Sequence, residues 1–151
     1  MSNQAQNQVS QETIDLIRST APLLKKHGQK VTTRMYEIMF GNHPEIKQQF
    51  NMTDQADGSQ PARLANAIYS YATHIDDLES LKSMVDKIAH RHVQTHVTPE
   101  QYPIVGESLL QAMQDVLGDV VTEEIMAAWK EAYQILAQVF IKREDQIYHN
   151  S

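Results

Sequence analysis

Seven histidines stand in an acidic chain without a single cysteine, so any metal chemistry here must run through imidazole and carboxylate. His90, His92 and His96 lie close together, and the last two are four residues apart, a spacing that sets two side chains on one face of a helix. A zinc site would need a third or fourth ligand at a recognisable spacing, and none is present. No HExxH occurs, and no Glu-x-x-His pair of the kind used by di-iron bundles. His92 differs from its neighbours. It ends the series Leu81, Val85, Ile88, His92, whose steps of four, three and four continue an apolar helical stripe. Two readings of such an imidazole stay open at this level. It is either a hydrogen-bonded core residue or an axial ligand facing a large apolar cavity, which is what haem ligation requires. His90 faces elsewhere, beside Arg91.

The bulk properties narrow the classes. At 151 residues the chain is the size of one domain, and 41% hydrophobic against 21% charged residues is ordinary for a packed globule. A net charge of −6 argues against nucleic-acid binding, which needs clustered lysine and arginine. No apolar run is long enough for a membrane span, and the start, MSNQAQNQVSQ, has neither the basic nor the apolar part of a signal peptide. The expectation is a cytoplasmic protein with a flexible extension over residues 1–9 and one domain over 10–151.

The elements that must position His92 all read as helices. Ser10 caps a first helix carrying Ile14, Ile17, Ala21 and Leu24, which Pro22 should kink or split and His27-Gly28 should close. A second helix bears Val31, Met35, Ile38 and Met39, and Pro44 opens a short third one ending near Phe50. Residues 51–60 form a polar, mobile loop, and Pro61 suits the first turn of a helix with Leu64, Ile68, Tyr71 and Ile75 on one face. After the His92 helix, Thr98-Pro99-Glu100 is a start signal, Gly118 a stop, and Thr122 the cap of a last helix bearing Trp129, Leu136 and Phe140. No alternating run reads as a strand.

Strings along these helices carry a resemblance. TTRMYEIMF, HPEIKQQFNM, KIAHRH, PEQYPIVGE, AAWKEAY and FIKREDQIY occur in the order and near the spacing of the bacterial haemoglobins, both the single-domain forms and the globin half of the flavohaemoglobins. The likeness runs from about Ser10 to Tyr148. It implies an all-α globin fold of helices A, B, C, E, F, G and H, without an ordered D helix, around haem b. It implies His92 as the proximal iron ligand, Phe50 against the haem face, Tyr36 as the distal tyrosine, Gln60 as the distal glutamine and Leu64 one turn later in the ligand pocket. It further implies that Tyr102 and Glu144 form a hydrogen-bonded network with the proximal imidazole, which makes that ligand more basic. Without the resemblance, Phe50, Tyr36 and Leu64 read as core, Gln60 as a solvated loop residue, and Glu144 as part of a charge run with Arg143 and Asp145. Pro61 biases Gln60 away from the α region, placing it at the helix entrance.

The function so implied is reversible binding of oxygen, with nitric oxide and carbon monoxide as further ligands, by a monomer or homodimer. The alternative is nitric oxide dioxygenation. The 151 residues contain no Gly-rich dinucleotide fingerprint, so electrons would come from a separate flavoprotein reductase. A gas sensor and a non-haem metal-binding bundle are the remote alternatives.

Overall fold

The computed structural model describes residues 10–50 and 57–150. The expected flexible extension over 1–9 and most of the polar loop, residues 51–56 with the question of a D helix, lie outside the described residues. Among the described residues five α-helices carry the fold: α1 (Gln11–Asn42), α2 (Ser59–Thr73), α3 (Lys82–Gln94), α4 (Gln101–Leu117) and α5 (Glu123–Asn150). Short 3₁₀ helices at Pro44–Gln49, Leu78–Leu81 and Gly118–Val120 turn the chain between them. No strand occurs among the described residues.

Several ends follow the capping chemistry read from the sequence. Ser10 Oγ accepts the Thr13 N–H at 3.2 Å, and Thr122 Oγ1 accepts the Ile125 N–H at 3.2 Å. Gly118, at φ 62°, takes the left-handed half of the backbone map as α4 ends. One expected boundary is absent. The segments expected as two helices form the single helix α1, which runs through both Pro22 and Gly28. Pro22 cannot donate to the carbonyl of Arg18, but both residues are exposed, so water can satisfy that carbonyl. Gly28 is a crossing point, not a stop. It is buried against α2, where an added Cβ would sit 3.3 Å from the Ala65 Cβ.

The start of α4 is also displaced, to Gln101. The Gln101 side-chain oxygen accepts the Thr98 N–H at 3.1 Å, so the turn over 98–100 is held from within the helix and not by a Thr98 cap. Ile17, Leu24, Val31, Met35 and Met39 of α1 are buried where that helix meets α2, α4 and α5. Two buried polar groups pin this core: Tyr71 Oη donates to the Ala132 carbonyl at 2.7 Å, and Trp129 Nε1 donates to Thr20 Oγ1 at 3.1 Å. α2 packs on α1 while α3 packs on α5, and the space between them is a cavity. No helix among the described residues is long and apolar enough to cross a membrane.

Candidate functional site

The cavity has a volume of about 260 Å³ and opens to solvent at its mouth. Tyr36, Phe50, Gln60, Leu64, His92 and Tyr102 all line it. Glu144 does not. It sits behind the wall, 4% exposed, in contact with His92 and Tyr102.

His92 lies in the last turn of α3, and its side chain is 29% exposed, toward the cavity. Its Nδ1 is 2.8 Å from Glu144 Oε2 and 3.0 Å from Tyr102 Oη, while Tyr102 Oη donates to the same carboxylate oxygen at 2.7 Å. Burial first, and then the bond to Glu144, push the Tyr102 phenol well above its ordinary range, so it keeps its proton and acts as the donor. An ionised carboxylate only accepts, so Nδ1 carries the other proton donated to Glu144. That tautomer leaves the Nε2 lone pair available, and no hydrogen bond engages Nε2 among the described residues. Phe140 holds the ring from α5 at 5.6 Å between centroids, and it stacks on Tyr102 at 6.4 Å.

Tyr36 and Phe50, which line the cavity, form a closed triangle with Phe40 behind them, at centroid separations of 5.7, 5.5 and 5.4 Å. Helical spacing puts Phe40 one turn beyond Tyr36. Phe50 follows the Pro44–Gln49 turn directly. Gln60 is the second residue of α2, at the helix entrance as Pro61 implied, and it lines the cavity from there. The residues on either side of Gln60 are held. Thr32 Oγ1, in α1, donates to the Pro61 carbonyl at 2.7 Å. Asp57 accepts the Ser59 N–H at 2.9 Å, a bond that holds its carboxyl below the usual carboxylate range.

The other two clustered histidines stand apart from this centre. His90 pairs with Asp86 at 3.6 Å on the exposed side of α3, and His96 is exposed with a left-handed φ of 63°. Among the described residues no group of three or more His, Asp or Glu is arranged to hold a metal ion. The donor set is therefore one imidazole at the wall of an apolar cavity, which fits an axial haem ligand and not a tetrahedral zinc site. Arg63 and Arg91 also line the cavity and offer guanidinium groups to the carboxylates such a group carries. Sequence reading passed over both arginines, and also Gln49, Gln101 and Met84 in the lining. Met84 and Ile88 had a signal, lying eight and four residues before His92 on one helical face. The two glutamines had none.

Comparison with known proteins agrees with this geometry. The globin family model matches residues 33–140. A globin-like protein of Aquifex aeolicus is 48% identical over 140 residues, covering 93% of this chain and 97% of its own. A flavohemoprotein of Halalkalibacterium halodurans is 47% identical over 143 residues, so that 95% of this chain matches 35% of that longer protein. The solved structure of a bacterial globin from Campylobacter jejuni superposes with a TM-score of 0.88 at 41% identity, covering 93% of this chain and 99% of that one. The helix order, the cavity between α2 and α3 and these matches together show that the chain belongs to the globin family.

Proposed function

We propose that this globin binds oxygen reversibly at a haem b whose iron is ligated by His92 Nε2. The observation that carries the reading is the hydrogen-bonded trio of His92, Tyr102 and Glu144, which turns a basic, fixed imidazole toward an apolar cavity. When bound, haem supplies an iron with one position open to a diatomic gas. The protein's part is to seat, orient and shield. Glu144 holds the proton at His92 Nδ1, which fixes the ring and raises the basicity of Nε2. Phe50 and Leu64 exclude water from the faces of the seat, and Arg63 and Arg91 hold the carboxylates at its rim. Tyr36 Oη keeps its proton on the distal side and would donate a hydrogen bond to the bound gas, with Gln60 as a second polar group there. Carbon monoxide and nitric oxide fit the same space.

A second reading, nitric oxide dioxygenation with electrons from a separate flavoprotein reductase, is favoured by one observation. The chain matches about a third of the length of a flavohemoprotein. Absorption spectra of the ferrous and carbon monoxide forms test the first reading. His92→Ala should lose normal haem retention, whereas His90→Ala and His96→Ala should leave the ferrous spectrum unchanged. A native spectrum in the His92 variant would remove the proposed ligand. Nitric oxide consumption separates the two readings. Multiple turnovers that begin only when a flavoprotein reductase joins this chain and NADH favour the dioxygenase, and failure to turn over with reductase in excess favours the oxygen binder.

A further inference from the structure

One contact bridges the cavity at its edge and belongs to neither the His92 network nor the aromatic wall. Gln49 closes the Pro44–Gln49 turn, and Gln101 opens α4. Their carboxamides pair reciprocally: Gln49 Nε2 donates to Gln101 Oε1 at 3.2 Å, and Gln101 Nε2 donates back to Gln49 Oε1. Gln49 Nε2 also lies 3.1 Å from the carbonyls of Thr95 and His96, while Gln101 Oε1 accepts the Thr98 N–H. Both side chains are half-buried and both line the cavity.

The position of this pair gives it a consequence. Gln49 immediately precedes Phe50, and Gln101 immediately precedes Tyr102, so each amide is one residue from a site residue. Thr95 in turn bonds back to α3, its hydroxyl donating to the carbonyl of His92 at 3.2 Å. The left-handed backbone at His96 is a conformation that a non-glycine residue adopts at a cost, and the bond to its carbonyl helps to hold it. Because α2 and α3 are separated by the cavity, packing along those two helices does not set the distance between its walls. The amide pair instead ties the turn that leads toward α2 to the segment that leaves α3 and to the start of α4.

We propose that Gln49 and Gln101 form a clasp that closes one edge of the cavity, sets Phe50 in register with His92, and governs how long the prosthetic group stays bound. This rests on the haem-binding reading above. Both are positioning residues, acting through the turns they join. Their chemistry suits the task, since an amide donates and accepts at once and needs no charge at a half-buried rim.

Haem transfer to an excess of a haem-free acceptor globin tests the clasp. Gln49→Met and Gln101→Met keep the side-chain length and remove the amide. Each should speed haem loss at least about tenfold, since each removes both bonds of the pair and those its own amide makes to the neighbouring backbone. The double variant should fall well short of the product of the two single effects, because both break the reciprocal pair while each alone removes only its own bonds to Thr95 and His96 or to Thr98. Gln49→Lys combined with Gln101→Glu restores a donor toward the two carbonyls and an acceptor for Thr98, and should return the rate to within about twofold of native. Single variants that lose haem at the native rate overturn the proposal. So do effects that add in the double variant, or a Lys/Glu pair as leaky as the Met variants. A readout without haem keeps this separate from the reading it rests on. In the haem-free chain, Gln101→Met should speed exchange of the Thr98 amide proton about tenfold, and unchanged exchange counts against the clasp even if haem binding itself stands. A native chain that takes up no haem would instead sink the haem-binding reading.

Discussion

Replacing Tyr102 with phenylalanine deletes one oxygen and leaves the ring that stacks on Phe140 at 19° between planes. The loss is a donor at 2.7 Å to Glu144, whose side chain is 5% exposed, so water cannot take the vacated place. Hydrogen bonds to a charged partner contribute about 1.5–3 kcal/mol each, and the carboxylate would retain only the His92 Nδ1–H at 2.8 Å. We therefore expect Tyr102→Phe to destabilise the chain by about 2 kcal/mol. At roughly 2–4 °C per kcal/mol for a domain of this size, that lowers Tm by about 4–8 °C. Glu144→Gln keeps an acceptor oxygen but removes its charge, which about halves the strength of a hydrogen bond to it. Deleting the Tyr102 hydroxyl in that background should cost only about 1 kcal/mol, giving a coupling of about 1 kcal/mol in a double-mutant cycle. Urea unfolding of the haem-free forms measures all four corners. A Tyr102→Phe chain within about 0.5 kcal/mol of native, or strictly additive substitutions, would refute the argument that the phenol donates to a buried charge.

Three further outcomes are expected. Tyr36→Phe should raise the oxygen dissociation rate about 10- to 150-fold, the worth of one charge-assisted hydrogen bond, while carbon monoxide release changes far less; equal changes in stopped-flow traces would make Tyr36 a steric group only. Burial holds the phenols of Tyr71, Tyr102 and Tyr133 protonated above their ordinary range, so above about pH 10 the unfolded chain binds fewer protons than the folded one. Stability should fall with rising pH there by up to about 1.4 kcal/mol per unit for each such tyrosine, and flat denaturation midpoints between about pH 9.5 and 11 would contradict this. Gly106→Ala places a Cβ 2.7 Å from Tyr133 Cε2, forcing aside a ring whose hydroxyl donates to the Tyr102 carbonyl at 2.7 Å. Thermal melts should show about 1–3 kcal/mol of destabilisation, relieved when Tyr133 is also shortened to leucine.

Local chemistry was the legible part of this chain. The hydroxyl caps at Ser10 and Thr122 and the glycine at 118 each follow from a few neighbouring residues and appear in the structure, while of the stripe ending in His92 only Ile88 and His92 face the cavity and Leu81 precedes α3. The misread boundaries are places where distant packing outweighed the local signal. Gly28 reads as a terminator, yet its missing side chain is spent on the approach of Ala65 from another helix. Pro22 reads as a break, yet its exposure lets water serve the carbonyl it leaves unpaired.

Glu144 shows why the site itself needed more than spacing. Arg143, Glu144 and Asp145 are consecutive, and a helix turns about 100° per residue, so the three charges leave α5 in three directions. Arg143 reaches Asp86 on α3 at 2.6 Å, Asp145 stays exposed beside His149 at 3.4 Å, and Glu144 alone turns inward to His92, 52 residues away in sequence. Nothing in the run distinguishes the middle charge. The distinction comes from the packing of α5 on α3, and that packing is fixed by Ala89, Ala137 and Phe140, whose small and large side chains bring the two helices together. The same holds for Gln49 and Gln101, also 52 apart, whose pairing depends on the turn geometry at both ends. A buried carboxylate left without partners would destabilise this packing. The hydrogen bonds from Tyr102 and His92 therefore support this helix crossing as well as the proposed site, so on the haem-binding reading a change to either should alter stability and ligand chemistry together.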